Sequence, residues 1–116
     1  MAMTEAYRNS IADHGATLIT HIGLVDDLGN ELTGGSPAYA RKPVTWTAAA
    51  AGSISPTADT TFDVPAGATV GGWRGYSALT LGTDYGGADL THEVFAGQGT
   101  YQLLAAGTAI NHNQAV

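Results

Sequence analysis

Gly, Pro, Asn and Asp interrupt this chain about every ten residues, and nothing between the interruptions is long enough to hold the crossover helix of a βαβ unit. The runs left between them are "ATLITHIGLV" (16–25), "VTWTAAA" (44–50), "GSISP" (52–56), "TTFDV" (60–64), "TVGGWRGYS" (69–77), "LTHEVF" (90–95) and "TYQLLAA" (100–106). Most alternate apolar with polar residues, the period of a strand with one face in a core. The pattern predicts a mainly β chain, a single antiparallel β-sandwich of about seven to eight strands. At 116 residues one core is enough, and a chain of this size buries about 60–70% of its unfolded surface.

One segment departs from the strand period. In "TEAYRNSIAD" (4–13), Thr4 is a candidate N-cap, Glu5 lies in the first turn and Gly15 follows as a candidate C′ residue. Ala6, Tyr7, Ile11 and Ala12 fall on one side at helical spacing, so a short helix lying across the sheet is expected. The expected organisation is one domain over 1–116, with residues 1–15 as an N-terminal helical arm and 111–116 as a flexible C-terminal tail. The expected core is Leu18, Ile22, Trp46, Phe62, Val64, Phe95 and Leu103, large apolar side chains at strand positions.

Charge narrows the function classes. Only 12% of residues are charged, about half the usual share, and the formal net charge is −6. The cations are Arg8, Arg41, Lys42 and Arg74, of which only Arg41 and Lys42 adjoin, so a nucleic-acid role is excluded. There is no Cys, hence no disulfide framework and no thiolate chemistry. No run approaches the roughly 20 apolar residues of a membrane span, and no signal peptide precedes the fold, so synthesis in a cytoplasm without membrane association is expected.

The search for chemistry is negative. His14, His21, His92 and His112 lack the tight local pairing of a zinc site. Asp26 with Asp27, and Asp84 with Asp89, are the closest carboxylate pairs, but "DDLGN" and "TDYGGAD" read as turns in which Asp caps its own backbone. Neither stretch fits the calcium-loop pattern. Ser77 in "GYSAL" lacks the second Gly of a nucleophile elbow, and "GATVGGWRG" lacks the Lys-Ser/Thr ending of a phosphate loop. No catalytic residue, no metal and no cofactor is expected, and an enzyme is not.

The stretch "GGSPAYARKPVTW" (34–46) places two prolines around half the chain's cations. A proline-stiffened extended segment loses little entropy on docking, and Tyr and Arg are the types that dominate interface energies. Pro37, Tyr39, Arg41 and Lys42 are therefore candidate protein-interface residues, joined by Trp73, Arg74 and Tyr76 of "GGWRGYS". The other reading folds Tyr39 back onto the domain's own edge and leaves Arg41 solvated; the residues alone leave both open.

"THIGLVDDLGNELTGGSPAYARKPVTW", "TFDVPAGATVGGWRGYS" and "FAGQGTYQLLAAGTAI" together resemble a family of short phage proteins, commonly labelled tail-fibre-like or minor tail proteins, of the kind encoded by phages of actinobacteria. The pieces occur in order over about residues 16–110. After Val70 the family tends to show an apolar "GLW"-type strand where this chain has "GGWRGYS". The resemblance implies a virion structural β-sandwich protein with no catalytic residues to carry over, made in the host cytoplasm and placed on the capsid or tail surface. Its partners would be other virion proteins, the major capsid protein or tail subunits, and a homo-oligomer, with a trimer as one form. A stand-alone fibre needs coiled coil, collagen repeats or a β-helix, none of which is present. That favours a small subunit decorating and cementing the capsid exterior, with a tail module in assembly or host contact as the alternative. A third reading, a glycan-binding module, needs Trp46, Trp73 or Tyr76 as an exposed platform.

Overall fold

A computed structural model describes residues 4–105, 108 and 110–111. The chain is mainly strand, with one helix and antiparallel pairing throughout. The helix α1 spans Glu5–Leu18, followed by strands β1 His21–Val25, β2 Lys42–Pro43, β3 Ser53–Ile54, β4 Thr60–Val64, β5 Thr69–Tyr76, β6 Asp84–Val94, β7 Gly99–Leu103 and β8 Ile110–Asn111. A four-stranded sheet runs β2-β1-β5-β6, and two ribbons pair β4 with β7 and β3 with β8.

The hydroxyl of Thr4 accepts the Tyr7 N–H at 3.2 Å, the expected cap. Gly15 does not end the helix. It lies inside α1, which continues to Leu18 and closes where the Ile19 N–H donates to the Gly15 carbonyl at 3.0 Å. This corrects the predicted strand start at 16 and moves Leu18 out of the core: it sits on the last helical turn, 38% exposed. Ile19 is buried in its place, its carbonyl accepting the Trp46 indole N–H at 2.8 Å.

The contacts of α1 are more polar than its apolar spacing suggests. Tyr7 is exposed and Ala12 is its one buried side chain. Asn9 accepts the Gly52 N–H at 2.8 Å, Asp13 accepts the Ala49 N–H at 2.9 Å, and Arg8 donates to the Ala51 carbonyl at 3.2 Å. Side-chain oxygens and a guanidinium thus satisfy the backbone of 49–52, which has no ladder partner for these groups.

The core lies between the large sheet and the β4–β7 ribbon. Ile22, Leu24, Val70 and Trp73 from the sheet meet Phe62, Val64 and Leu103 from the ribbon, with Leu32 added from the connection after β1. Trp46 and Phe95 are half-buried against this cluster. Val70 and Trp73 are three apart, so an undistorted strand would point them to opposite faces. Both nonetheless belong to the buried cluster, and the pairing of β5 with β6 shifts register between Val70 and Gly72. Trp73 is 2% exposed, which corrects its assignment to an interface, and its indole N–H has no partner among the described residues.

The predicted strand over 44–50 is reduced to isolated bridges, Trp46 with Pro56 and Ala50 with Ser53, while pairing to β1 is made earlier by Lys42 and Pro43. β6 begins at Asp84, six residues before its predicted start, because "TDYGGAD" is strand rather than turn. Of the expected tail, Asn111 belongs to β8 and 112–116 lie outside the described residues, as does His112. Among the described residues no helix is long and apolar enough to cross a membrane.

Candidate interaction site

Where β2 ends, the outer edge of β1 is left with an open N–H at Leu24. The Tyr39 hydroxyl fills it, accepting from Leu24 N at 2.9 Å and donating to Glu31 Oε2 at 2.8 Å. Its ring stacks on Phe62 with centroids 6.3 Å apart and planes 20° from parallel. The segment after the cis Ser36–Pro37 bond therefore wraps back over its own domain. Gln98 from beyond β6 holds the wrap, accepting the Ser36 N–H and donating to the Pro37 carbonyl, both at 3.2 Å.

Arg41 completes the arrangement. Its guanidinium makes a two-pronged pair with Glu31, Nε to Oε2 at 2.8 Å and Nη2 to Oε1 at 2.9 Å, a geometry only Arg offers. The same group lies over the Tyr76 ring, 3.6 Å from its centroid. The remaining prong, Nη1, donates to the carbonyls of Ala78 at 3.0 Å and Leu81 at 2.7 Å. A cation from the 34–46 segment thus pins the 77–83 loop, which Ser77 and Thr83 close with two further hydrogen bonds.

Gly23 is the residue that makes room. A Cβ there would stand 2.5 Å from the Tyr39 hydroxyl and 2.9 Å from both Glu31 Oε2 and the Tyr76 ring. Three side chains converge where β1 has none.

Burial corrects the expected interface at Trp73 and Tyr76. Tyr39 and Arg41 turn toward Glu31 and the Leu24 N–H of their own domain, and Trp73 lies in the core cluster. Lys42 is half-buried in β2, and Arg74 pairs with Asp84 at 3.1 Å on the surface. Pro37 alone of the set is exposed. Sequence reasoning missed Glu31, which directly follows "DDLGN", and Leu79 and Leu81, which stand in "SALTLGT" with no motif around them. The signal for Glu31 was a lone carboxylate ten positions before a lone Arg-Lys pair in a chain poor in charge.

The pinned loop shows apolar groups to solvent. Leu79 is 52% and Leu81 86% exposed, and both line an open groove of about 450 Å³ with Leu32, Tyr39 and Arg41. Leu81 takes a φ of 57°, the left-handed region that disfavours a branched side chain. A second groove, of about 650 Å³, lies between the turn after β1 and β6, with Asp26, Asp27, Asp89 and His92 at its walls. Asp26 serves its turn as expected, accepting the Leu28 and Asn30 N–H groups at 2.9 Å. Among the described residues no group of three or more His, Asp or Glu is placed to hold a metal ion.

Burial and the hydrogen bond to Glu31 push the Tyr39 phenol well above its ordinary value, and burial with the Glu31 charge raises Tyr76. A folded pKa above the unfolded one means the stabilisation is fully present below pH about 10 and is lost as pH rises towards the folded value. Stability is expected to fall above pH 10, by at most about 1.4 kcal/mol per pH unit for Tyr39. Urea unfolding of the wild type and Tyr39→Phe between about pH 9 and pH 12 checks this; equal slopes for the two proteins would remove Tyr39 as the cause.

Comparison with known proteins finds no matching family model, no matching curated relative and no matching solved structure.

Proposed function

We propose that this chain is a non-enzymatic accessory subunit of a bacteriophage virion, which decorates and cements the capsid exterior through contacts of its surface with other virion proteins. The virion assignment rests on the resemblance carried by the 16–110 segments. The contact role is supported by one observation: the loop that Arg41 pins presents Leu79 and Leu81 to solvent, with Leu81 in a costly backbone conformation and no burial in return.

An exposed apolar side chain held on a fixed loop loses little entropy when a partner covers it. In this account the 34–46 stretch is the brace of a contact loop, and its Tyr and Arg act from inside. The aromatic residues considered for a glycan platform do not favour that reading: Trp73 and Tyr76 are buried, and Trp46 is half-buried with its indole N–H bound to Ile19.

Electron microscopy of intact virions carrying a labelled copy tests the assignment. Label over the whole shell is the expected result; label confined to one end overturns the capsid placement in favour of the tail, and no label overturns the virion reading. Leu81→Gly separates binding from folding. Glycine takes the positive φ freely, so stability is expected to hold or rise by about 0.5 kcal/mol while incorporation into virions falls several-fold. Unfolding midpoints and the copy number per particle are the two readouts; a destabilised variant would mean that Leu81 serves the fold.

A further inference from the structure

Among the described residues β6 has a neighbour on one side only. Its inner edge pairs with β5, and its outer edge is the free edge of the four-stranded sheet. Such an edge is a row of backbone donors and acceptors that another strand can complete, and proteins commonly blunt it with Lys, Pro or a very short strand. β6 is eleven residues long and has no Lys, Arg or Pro. Every residue in it except Gly86 and Leu90 is exposed.

The edge is not one straight ladder. Register shifts opposite Gly71 and Gly75 place extra residues on β6, so its pairing with β5 is regular over Gly87–Asp89 and again at Glu93 and Val94. Each run suits a short extended segment better than a whole flat strand. Gly87 and Ala88 of the first run and Gly86 just before it are small, and a Cβ at Gly86 would meet nothing within 4 Å. A foreign backbone can therefore approach closely there.

Charge selects the occupant. β6 contributes Asp84, Asp89 and Glu93, and Asp26 and Asp27 stand across the adjoining groove. Asp84 is paired with Arg74; among the described residues Asp26, Asp27, Asp89 and Glu93 have no cationic partner. A second copy would set these carboxylates against their own kind, which is unfavourable for residues opposite one another on neighbouring strands. A segment with Lys or Arg at alternate positions would place its cations beside Asp89 and Glu93.

We propose that β6 receives a short extended segment, rich in Lys or Arg, from a partner protein, which pairs with the edge at Gly87–Asp89 and is held by Asp89, Glu93 and the acidic groove. The proposal deepens the contact role above and rests on that reading.

The probe is a labelled peptide of about ten residues alternating Lys with Thr and Val, compared with its Glu counterpart and with the Lys peptide N-methylated at alternate amides. Saturable binding of the Lys peptide is expected, with slowed amide exchange over 84–94. Binding should weaken roughly tenfold on N-methylation, and as much in Asp89→Asn combined with Glu93→Gln. Both replaced residues are exposed, so an unchanged thermal midpoint for that variant is expected and serves as the folding control. Equal binding of the Glu peptide, equal binding of the N-methylated peptide, or no saturation up to about 1 mM overturns the proposal. So does a dimer of the chain alone in which β6 is protected. Virion imaging is read separately: labelled shells with no peptide binding would sink this inference and leave the virion role standing.

Discussion

Replacing Arg41 with alanine is expected to lower the unfolding free energy by about 3 kcal/mol, since it removes one partner of a largely buried pair and strands the other. The Arg41 side chain is 11% and Glu31 27% exposed, so the lost contacts are not those of a solvated surface pair. Glu31 would keep only the Tyr39 hydroxyl, and the Ala78 and Leu81 carbonyls would lose their common donor. For a domain of this size the change corresponds to a fall of roughly 12–18 °C in Tm. Arg41→Lys should recover less than half of it, because an ammonium cannot supply two parallel prongs to Glu31 and a third to the loop. Urea and thermal unfolding give the magnitude, and amide exchange at 78–81 gives the location. A loss under about 1 kcal/mol would place the pair with ordinary surface ion pairs and remove the brace from the account.

That brace shows where a linear reading stops. β4 was legible to the residue because Phe62 and Val64 alternate with Thr61 and Asp63, and Pro65 and Gly67 end the run. The Thr4 cap was legible because it acts on a residue three positions away. The end of α1 was not: a glycine inside a helix costs only about 1 kcal/mol, and contacts of Asn9 and Asp13 with a loop some forty residues distant hold the helix in place. The first half of β6 was hidden because Asp and paired glycines carry the same local signal in a turn and in a bulged strand.

The inward turn of Tyr39 depends on a backbone N–H at Leu24, which is free only because β2 stops at two residues. The gap is a property of the pairing of β2 with β1, which residues 34–46 read alone do not show. Trp73 misled for a related reason. It belongs to the same core cluster as Leu24 and Phe62, which the local run "GGWRGYS" does not mark.

Phe62→Ala is expected to cost about 3–5 kcal/mol, a large share of the stability of a small domain. Phe62 is fully buried, sits opposite Tyr101 in the β4–β7 ribbon and faces Ile22, Leu24 and Trp73 of the sheet, so its removal opens a void between the two layers. It also takes away the surface on which Tyr39 stacks, and Tyr39 is the link from the core to Glu31 and Arg41. The two large effects should therefore not add: in a cycle of Phe62→Ala, Arg41→Ala and the double variant, the double should fall short of the sum by about 0.5–3 kcal/mol. Val94→Ala, at a side chain 73% exposed, is the control and should lie within about 0.5 kcal/mol of the wild type. Strict additivity would show that core and contact loop are stabilised independently, and that the stacking of Tyr39 on Phe62 transmits nothing to the brace.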